Sequence, residues 1–178
     1  PSRSQESLVP VQRLNHAVLY VRDVERSHAF YRDVLGFRAR TEIPGAAVFL
    51  QAEGSTNDHD LGLFQIGAGA GASEAGRRTV GLYHLAWEVD TLAELSRIRD
   101  ALLQAGALVG ASDHATTKAL YARDPDGIEF EVSWLLPADL ITPEVTGGAA
   151  MTAPLDLERE IERYGAQTRG GVGVSVTA

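Results

Sequence analysis

Leu82-Tyr83-His84-Leu85-Ala86-Trp87-Glu88-Val89 reads as a β-strand, and 68 positions earlier Leu14-Asn15-His16-Ala17-Val18-Leu19-Tyr20-Val21 reads the same way. A histidine holds the same place in both copies. Self-similarity at a fixed shift is the mark of a repeated unit, and the similarity extends beyond the strands. After the first strand, Val24, Phe30, Tyr31, Val34 and Leu35 recur near helical spacing, and Gly36 ends the run. After the second, Leu92, Leu95, Ile98, Leu102 and Leu103 do the same, and Gly106 ends it. Thr91 is a helix N-cap there, with Glu94 three residues on as the other half of a capping box.

Three short strand-like segments follow each helix. They fall at 38–43, 46–51 and 61–66, then at 107–111, 119–123 and 128–134. Pro44-Gly45 and Pro125-Asp126-Gly127 are the turn signals between them. Each copy therefore reads β-α-β-β-β, an α+β pattern. The expected organisation is a tail over 1–12, modules over 13–67 and 80–136, and a Gly/Ala-rich linker over 68–79. A C-terminal extension over 137–178 carries a short helix over 154–164, with Pro154 near its first turn. From Gly170 onward the chain reads as weakly held. The glycines of the linker lack the strand–loop–helix context of a phosphate loop.

Composition narrows the functions. Among 178 residues, Lys+Arg is 16 and Asp+Glu is 24, for a net charge of −8. An acidic chain without a basic cluster is a poor nucleic-acid binder, since phosphate contacts supply most of that affinity. There is no Cys, which excludes thiolate metal sites, Fe–S clusters, Cys nucleophiles and disulfides. No apolar run approaches the ~20 residues of a membrane span. A soluble cytoplasmic protein is the expectation.

Strand parity says where side chains point. In the last strand Ile128, Phe130, Val132 and Trp134 share one face, which should pack on helices. Glu129, Glu131 and Ser133 share the other, wetter face. His16 and His84 sit in apolar strands of the two copies. If the two sheets face one another, His16, His84 and Glu131 come together, and buried charged groups of this kind need a partner or a metal. Glu129, on the same face, is the competing carboxylate.

This pattern resembles the vicinal oxygen chelate superfamily. The matching text is Leu14-Asn15-His16, Phe30-Tyr31-Arg32-Asp33-Val34-Leu35-Gly36-Phe37, Leu82-Tyr83-His84, and Asp124-Pro125-Asp126-Gly127-Ile128-Glu129-Phe130-Glu131. The resemblance covers roughly residues 13–135 and implies two βαβββ modules forming a cupped, half-open, eight-stranded mixed sheet around a metal. Ligands then come from the first and last strands of the modules, which selects His16, His84 and Glu131. The repeat places the module-one counterpart of Glu131 at or near Phe64, which cannot bind a metal. Two His and one carboxylate with open positions suit Fe(II), or Mn(II).

Further details resemble the ring-cleaving branch, the type I extradiol, catechol 2,3-dioxygenase-like proteins with a single module pair. His59-Asp60-Leu61-Gly62-Leu63 is similar to the segment that carries their acid/base His. Tyr121, ten residues before Glu131, has the spacing of their active-site Tyr, and His114 resembles the supporting His before it. The resemblance implies an aromatic diol and O₂ as substrates, and a homodimer. Two alternatives stay open. One is a non-oxidative metalloenzyme of the same superfamily, glyoxalase-like or a thiol transferase. The other is a metal-free drug-binding resistance protein.

Overall fold

The computed structural model describes residues 11–74, 78–147 and 152–171. Parts of the expected N-terminal tail, of the linker and of the last residues lie outside these. Strand β1 spans Ala17–Val21, helix α1 Val24–Leu35, and strands β2, β3 and β4 Arg38–Ile43, Ala47–Gln51 and Leu61–Gln65. The second module repeats the order with β5 Leu85–Glu88, α2 Leu92–Gln104, β6 Leu108–Asp113, β7 Thr117–Arg123 and β8 Glu129–Leu135. The two modules have the same sheet order, β1-β4-β3-β2 and β5-β8-β7-β6. In each, the first strand runs parallel to the last, and the other pairings are antiparallel. The α+β architecture of paired βαβββ modules is present. The eight module strands lie in two mixed sheets, and one of these gains a ninth strand from the extension.

Local chemistry fixes the helix ends. Asp23 caps α1 by accepting the Arg26 N–H at 2.9 Å. Gly36 ends it at φ 75°, and its N–H reaches the Arg32 carbonyl at 3.0 Å. Thr91 caps α2 through the Glu94 N–H at 3.2 Å. The Glu94 carboxylate does not complete the capping box. It turns to Arg97 instead, 2.8 Å away.

Val24, Ser27, Tyr31 and Val34 form the buried stripe of α1 at helical spacing. Val24 and Tyr31 join Leu19, Val21, Leu50, Leu61 and Leu63 in the core of module one. Val34 instead enters the second core, built on Leu92, Leu95, Leu102, Leu120, Val132 and Trp134. Trp87 packs against both cores. The modules are thus joined by apolar side chains that belong to neither alone. Polar contacts add to the junction. Arg22 pairs with Asp126 at 2.9 Å, and the buried Tyr31 hydroxyl donates to Asp124 at 3.2 Å.

The extension differs from its sequence reading. Its long helix, α4, spans Leu157–Tyr164 and is capped by Asp156, which accepts the Arg159 N–H at 3.0 Å. A short helix, α3, spans Pro143–Thr146. Pro154 is not in the first turn of α4. It lies in β9, Ala153–Pro154, which pairs with Ser112 and Asp113 of β6. Asp156 is a favoured N-cap and sets the start of α4 after it, and an edge strand tolerates a residue without an N–H. Gly170 is also held more firmly than expected. Its N–H donates to Asp90 O at 2.6 Å, and a Cβ there would sit 2.7 Å from Leu135 O. Among the described residues no helix is long and apolar enough to cross a membrane.

Candidate metal centre

The β-ladders start at Ala17 and Leu85. His16 and His84 therefore stand one residue ahead of β1 and β5, at equivalent mouths of the two modules, and not inside the strands as the sequence reading had them. There a side chain can turn toward the open end of its sheet.

His84 Nε2 lies 3.2 Å from Glu131 Oε2, with the two side chains 25% and 14% exposed. At this distance the imidazole and the carboxylate are in hydrogen-bond contact, so the two side chains present their donor atoms at one point. Ser133 Oγ donates to Glu131 Oε1 and holds the carboxylate from behind. The Tyr83 ring leans against His84, with centroids 4.6 Å apart and the planes tilted by 53°. His84 Nδ1 is buried with no hydrogen-bond partner among the described residues. A buried orphan of this kind costs about 1–3 kcal/mol and marks a ring placed for something other than packing.

Tyr121 sits directly across from Glu131 in the β7–β8 ladder. Burial first, then the Glu131 charge and Tyr83, push its phenol above the ordinary value. His114 Nε2 is 2.9 Å from the Tyr121 hydroxyl. His114 belongs to the hairpin after β6, where Ala115 takes a left-handed φ of 64° and its N–H is accepted by Asp113 Oδ1 at 2.8 Å. That turn aims His114 back at β7.

His16 and His59 form a second group. Their ring centroids are 4.6 Å apart. His16 Nδ1 contacts Asn15 Oδ1 at 2.8 Å, and since an amide oxygen only accepts, Nδ1 is the donor and Nε2 is the nitrogen left to face a metal. His16 also shares a cavity with Leu85, Ala86 and Trp87, the residues that follow His84. His59 is paired with Asp58 at 3.0 Å and rests edge-on against Phe49 at 5.0 Å. Among the described residues no three His, Asp or Glu side chains are close enough together to hold a metal. The structure brings together His84, Glu131, Tyr121 and His114, and leaves His16 with His59 across the module junction.

The ladder corrects one repeat assignment. Glu131 pairs with Ala86, two residues after His84, while Val18, two residues after His16, pairs with Gly62. The counterpart of Glu131 is therefore Gly62, two residues before Phe64 on the same strand face. Glycine has no side chain to bind a metal, so this position still supplies no fourth ligand. The sequence reading also missed Tyr83 and Ser133. Each had a signal, Tyr83 as the neighbour of His84 and Ser133 by its shared parity with Glu131.

A cavity of about 300 Å³ is lined by Tyr83 and Glu129, sequence neighbours of His84 and Glu131, and by Arg22 and Asp126, while His84, Glu131 and Tyr121 themselves are not part of its wall. Val18, Tyr20, Ile66, Leu82 and Tyr83 supply its apolar wall, and Glu129 lines it from the wet face of β8. Tyr83 thus both lines the cavity and packs against His84. An open apolar pocket with a few converging polar groups is what a small aromatic ligand needs.

This arrangement defines a two-module protein with an imidazole–carboxylate donor set at one mouth. Residues 13–132 match the Glyoxalase/Bleomycin resistance protein/Dioxygenase superfamily, and the chain belongs to that family. It is 30% identical over 154 residues to a catechol-2,3-dioxygenase of Bacillus subtilis, covering 85% of this chain and 52% of that protein. It is 33% identical over 138 residues to biphenyl-2,3-diol 1,2-dioxygenase 3 of Rhodococcus globerulus, covering 74% of this chain and 66% of that one. The chain thus spans between half and two thirds of the length of these two relatives. In fold it is similar to a glyoxalase/dioxygenase from Nostoc punctiforme, with TM-score 0.57 and 21% identity, covering 74% of this chain and 97% of that one. It is similar also to a lactoylglutathione lyase from Agrobacterium tumefaciens, with TM-score 0.52 and 24% identity, covering 70% and 95%.

Proposed function

We propose that the protein is a metal-dependent extradiol dioxygenase that opens the ring of a catechol-type diol with O₂. One observation carries the reading. Tyr121 faces Glu131 across the ladder and is held by His114, so a phenol supported by an imidazole stands beside the carboxylate–imidazole pair. Relatives named for catechol and biphenyl-diol cleavage support it.

In this reading His16, His84 and Glu131 hold Fe(II) or Mn(II), a set of borderline and hard donors that suits either ion. The ion, when bound, supplies the electronic coupling between diol and O₂ that a spin-paired organic substrate lacks with triplet oxygen. The protein does the rest. The apolar cavity beside Tyr83 takes the ring and sheds its water. Tyr121 hydrogen-bonds the substrate oxygen and fixes the ring's angle. His59 takes a proton from the diol and returns it to the leaving oxygen, work suited to an imidazole. Both oxygen atoms of O₂ end in the product, so the reaction needs no outside reductant.

The test is anaerobic loading with Fe(II), then air and a panel of catechols, following O₂ uptake and the yellow semialdehyde product. Uptake of one O₂ per diol with a yellow product is expected. Metal-loaded protein that consumes no O₂, yet isomerises a glutathione hemithioacetal or adds a thiol to an epoxide, overturns the reading.

A further inference from the structure

Thr152 comes from the extension, far along the chain from both modules' site residues, yet its Oγ1 lies 3.1 Å from His114 Nδ1. His114 Nε2 in turn meets the Tyr121 hydroxyl at 2.9 Å. Three side chains thus form a line from an exposed threonine to the phenol beside Glu131. The line is anchored. Ala153 pairs with Asp113, the residue before His114. Asp113 Oδ1 also accepts the Ala115 N–H at 2.8 Å and the Lys118 ammonium at 2.6 Å.

Resting on the ring-cleavage reading, in which Tyr121 touches the substrate, we propose that Thr152 is a positioning residue. It selects the tautomer of His114 and thereby makes Tyr121 a hydrogen-bond donor to the substrate oxygen. A neutral imidazole has one N–H donor and one acceptor nitrogen. A phenol that gives its proton to the substrate receives its own hydrogen bond from His114, so Nε2 carries the hydrogen. Nδ1 is then the acceptor, and the Thr152 hydroxyl is the donor that satisfies it. In the other tautomer Nδ1–H points at Thr152, and Nε2 accepts from Tyr121. The phenol proton then faces His114 and is lost to the substrate. The Thr152 hydroxyl, able to donate or to accept, donates in the first arrangement, and the β9–β6 pairing brings it to the hairpin.

The test compares the full-length wild type with Thr152→Val, which keeps the shape and removes the donor, and with Thr152→Ser, which restores it. Nitrogen NMR of the metal-free proteins reads the His114 tautomer directly. The wild type and Thr152→Ser should show the Nε2–H form, and Thr152→Val a mixture with Nδ1–H. In the Fe(II)-loaded proteins, kcat for catechol should fall about three- to tenfold in Thr152→Val with KM unchanged, the size of one net hydrogen bond. Thr152→Ser should recover it. An unchanged His114 spectrum in Thr152→Val overturns the proposal, and so does a shifted tautomer with unchanged kcat. A wild type that cleaves no catechol but shows the tautomer shift condemns the ring-cleavage reading and upholds the Thr152–His114 coupling.

Discussion

Lys118 on β7 and Glu160 on α4 meet at 2.9 Å with both side chains 2% exposed. The same ammonium reaches Asp113 at 2.6 Å and lies 5.8 Å from the centre of the Tyr164 ring. The C-terminal extension is therefore fastened to the second sheet by a buried charge cluster on the helix that follows β9. Truncating one member of such a cluster leaves the other charge poorly paired in a dry place. Glu160→Ala should cost about 3 kcal/mol, the lower end of the usual range because Asp113 remains. Replacing both members, Lys118→Met with Glu160→Leu, should cost less, since the charge then left behind, Asp113, is partly exposed and keeps the Ala115 N–H. Urea unfolding of the three proteins checks this. A Glu160→Ala loss under about 1 kcal/mol would show that water reaches the ammonium.

Asp124 offers a prediction in pH. Its carboxyl is pushed above the ordinary value chiefly by burial, against the pull of N–H groups from Ile128 and Asp126 and of the Tyr31 hydroxyl. A carboxyl with a raised folded-state pKa binds its proton more tightly folded than unfolded. Its contribution to stability is present below the unfolded pKa of ~3.9 and is lost as pH rises through the folded value. Asp124→Asn keeps the geometry, because its amide oxygen accepts the two N–H groups at 2.9 Å and its NH₂ donates to Tyr31. The unfolding free energy of the variant relative to wild type should rise from pH 4 to neutrality, then level off. A flat difference would mean Asp124 titrates normally.

Much of the fold was legible because its signals are local. The helix stripes, the Asp23, Thr91 and Gly36 ends and the strand parities depend on residues within a turn or two. What escaped depends on contacts between distant segments. Gly62 rather than Phe64 faces Val18 because of the β1–β4 ladder offset, which no local pattern encodes. Pro154 looks like a helix starter until β6 offers it an edge. In the site, His84 and Glu131 were readable from repeat and parity, and the structure pairs them. Tyr121 and His114 were readable only by resemblance, and they too are in contact. Thr152 carried no signal, since its partner His114 lies 38 positions away. His16 stands with His59 instead of the pair, because side chains across a module junction follow packing that spacing does not fix.

Metal affinity should grade with distance from the ion. His84→Ala and Glu131→Ala each delete a proposed donor, and each should weaken Fe(II) or Mn(II) binding at least about 100-fold, more than outer partners usually do. Ser133→Ala removes only the hydroxyl behind Glu131 and should cost roughly tenfold. His16→Ala should behave like the first two. Metal content after equilibrium dialysis distinguishes them. Full stoichiometric metal in Glu131→Ala at wild-type affinity would remove the carboxylate from the centre, and the same result in His16→Ala would leave a two-donor site.

His59→Phe separates proton transfer from binding. The His59 ring is 20% exposed, stands 5.0 Å from Phe49 and 4.6 Å from His16, and its Asp58 partner is 85% exposed. An ion pair that open to water contributes little to folding, so a phenyl ring of similar shape should leave stability almost unchanged. It should also preserve the packing that places His16, leaving metal content and catechol KM close to wild type. What it removes is a group able to take and return a proton. General acid/base groups usually contribute about 100- to 10,000-fold, and kcat should fall within that range. If kcat is unchanged across the pH range, His59 is a packing residue beside Phe49. If metal is lost together with kcat, His59 acts by supporting His16, and the acid/base role belongs elsewhere.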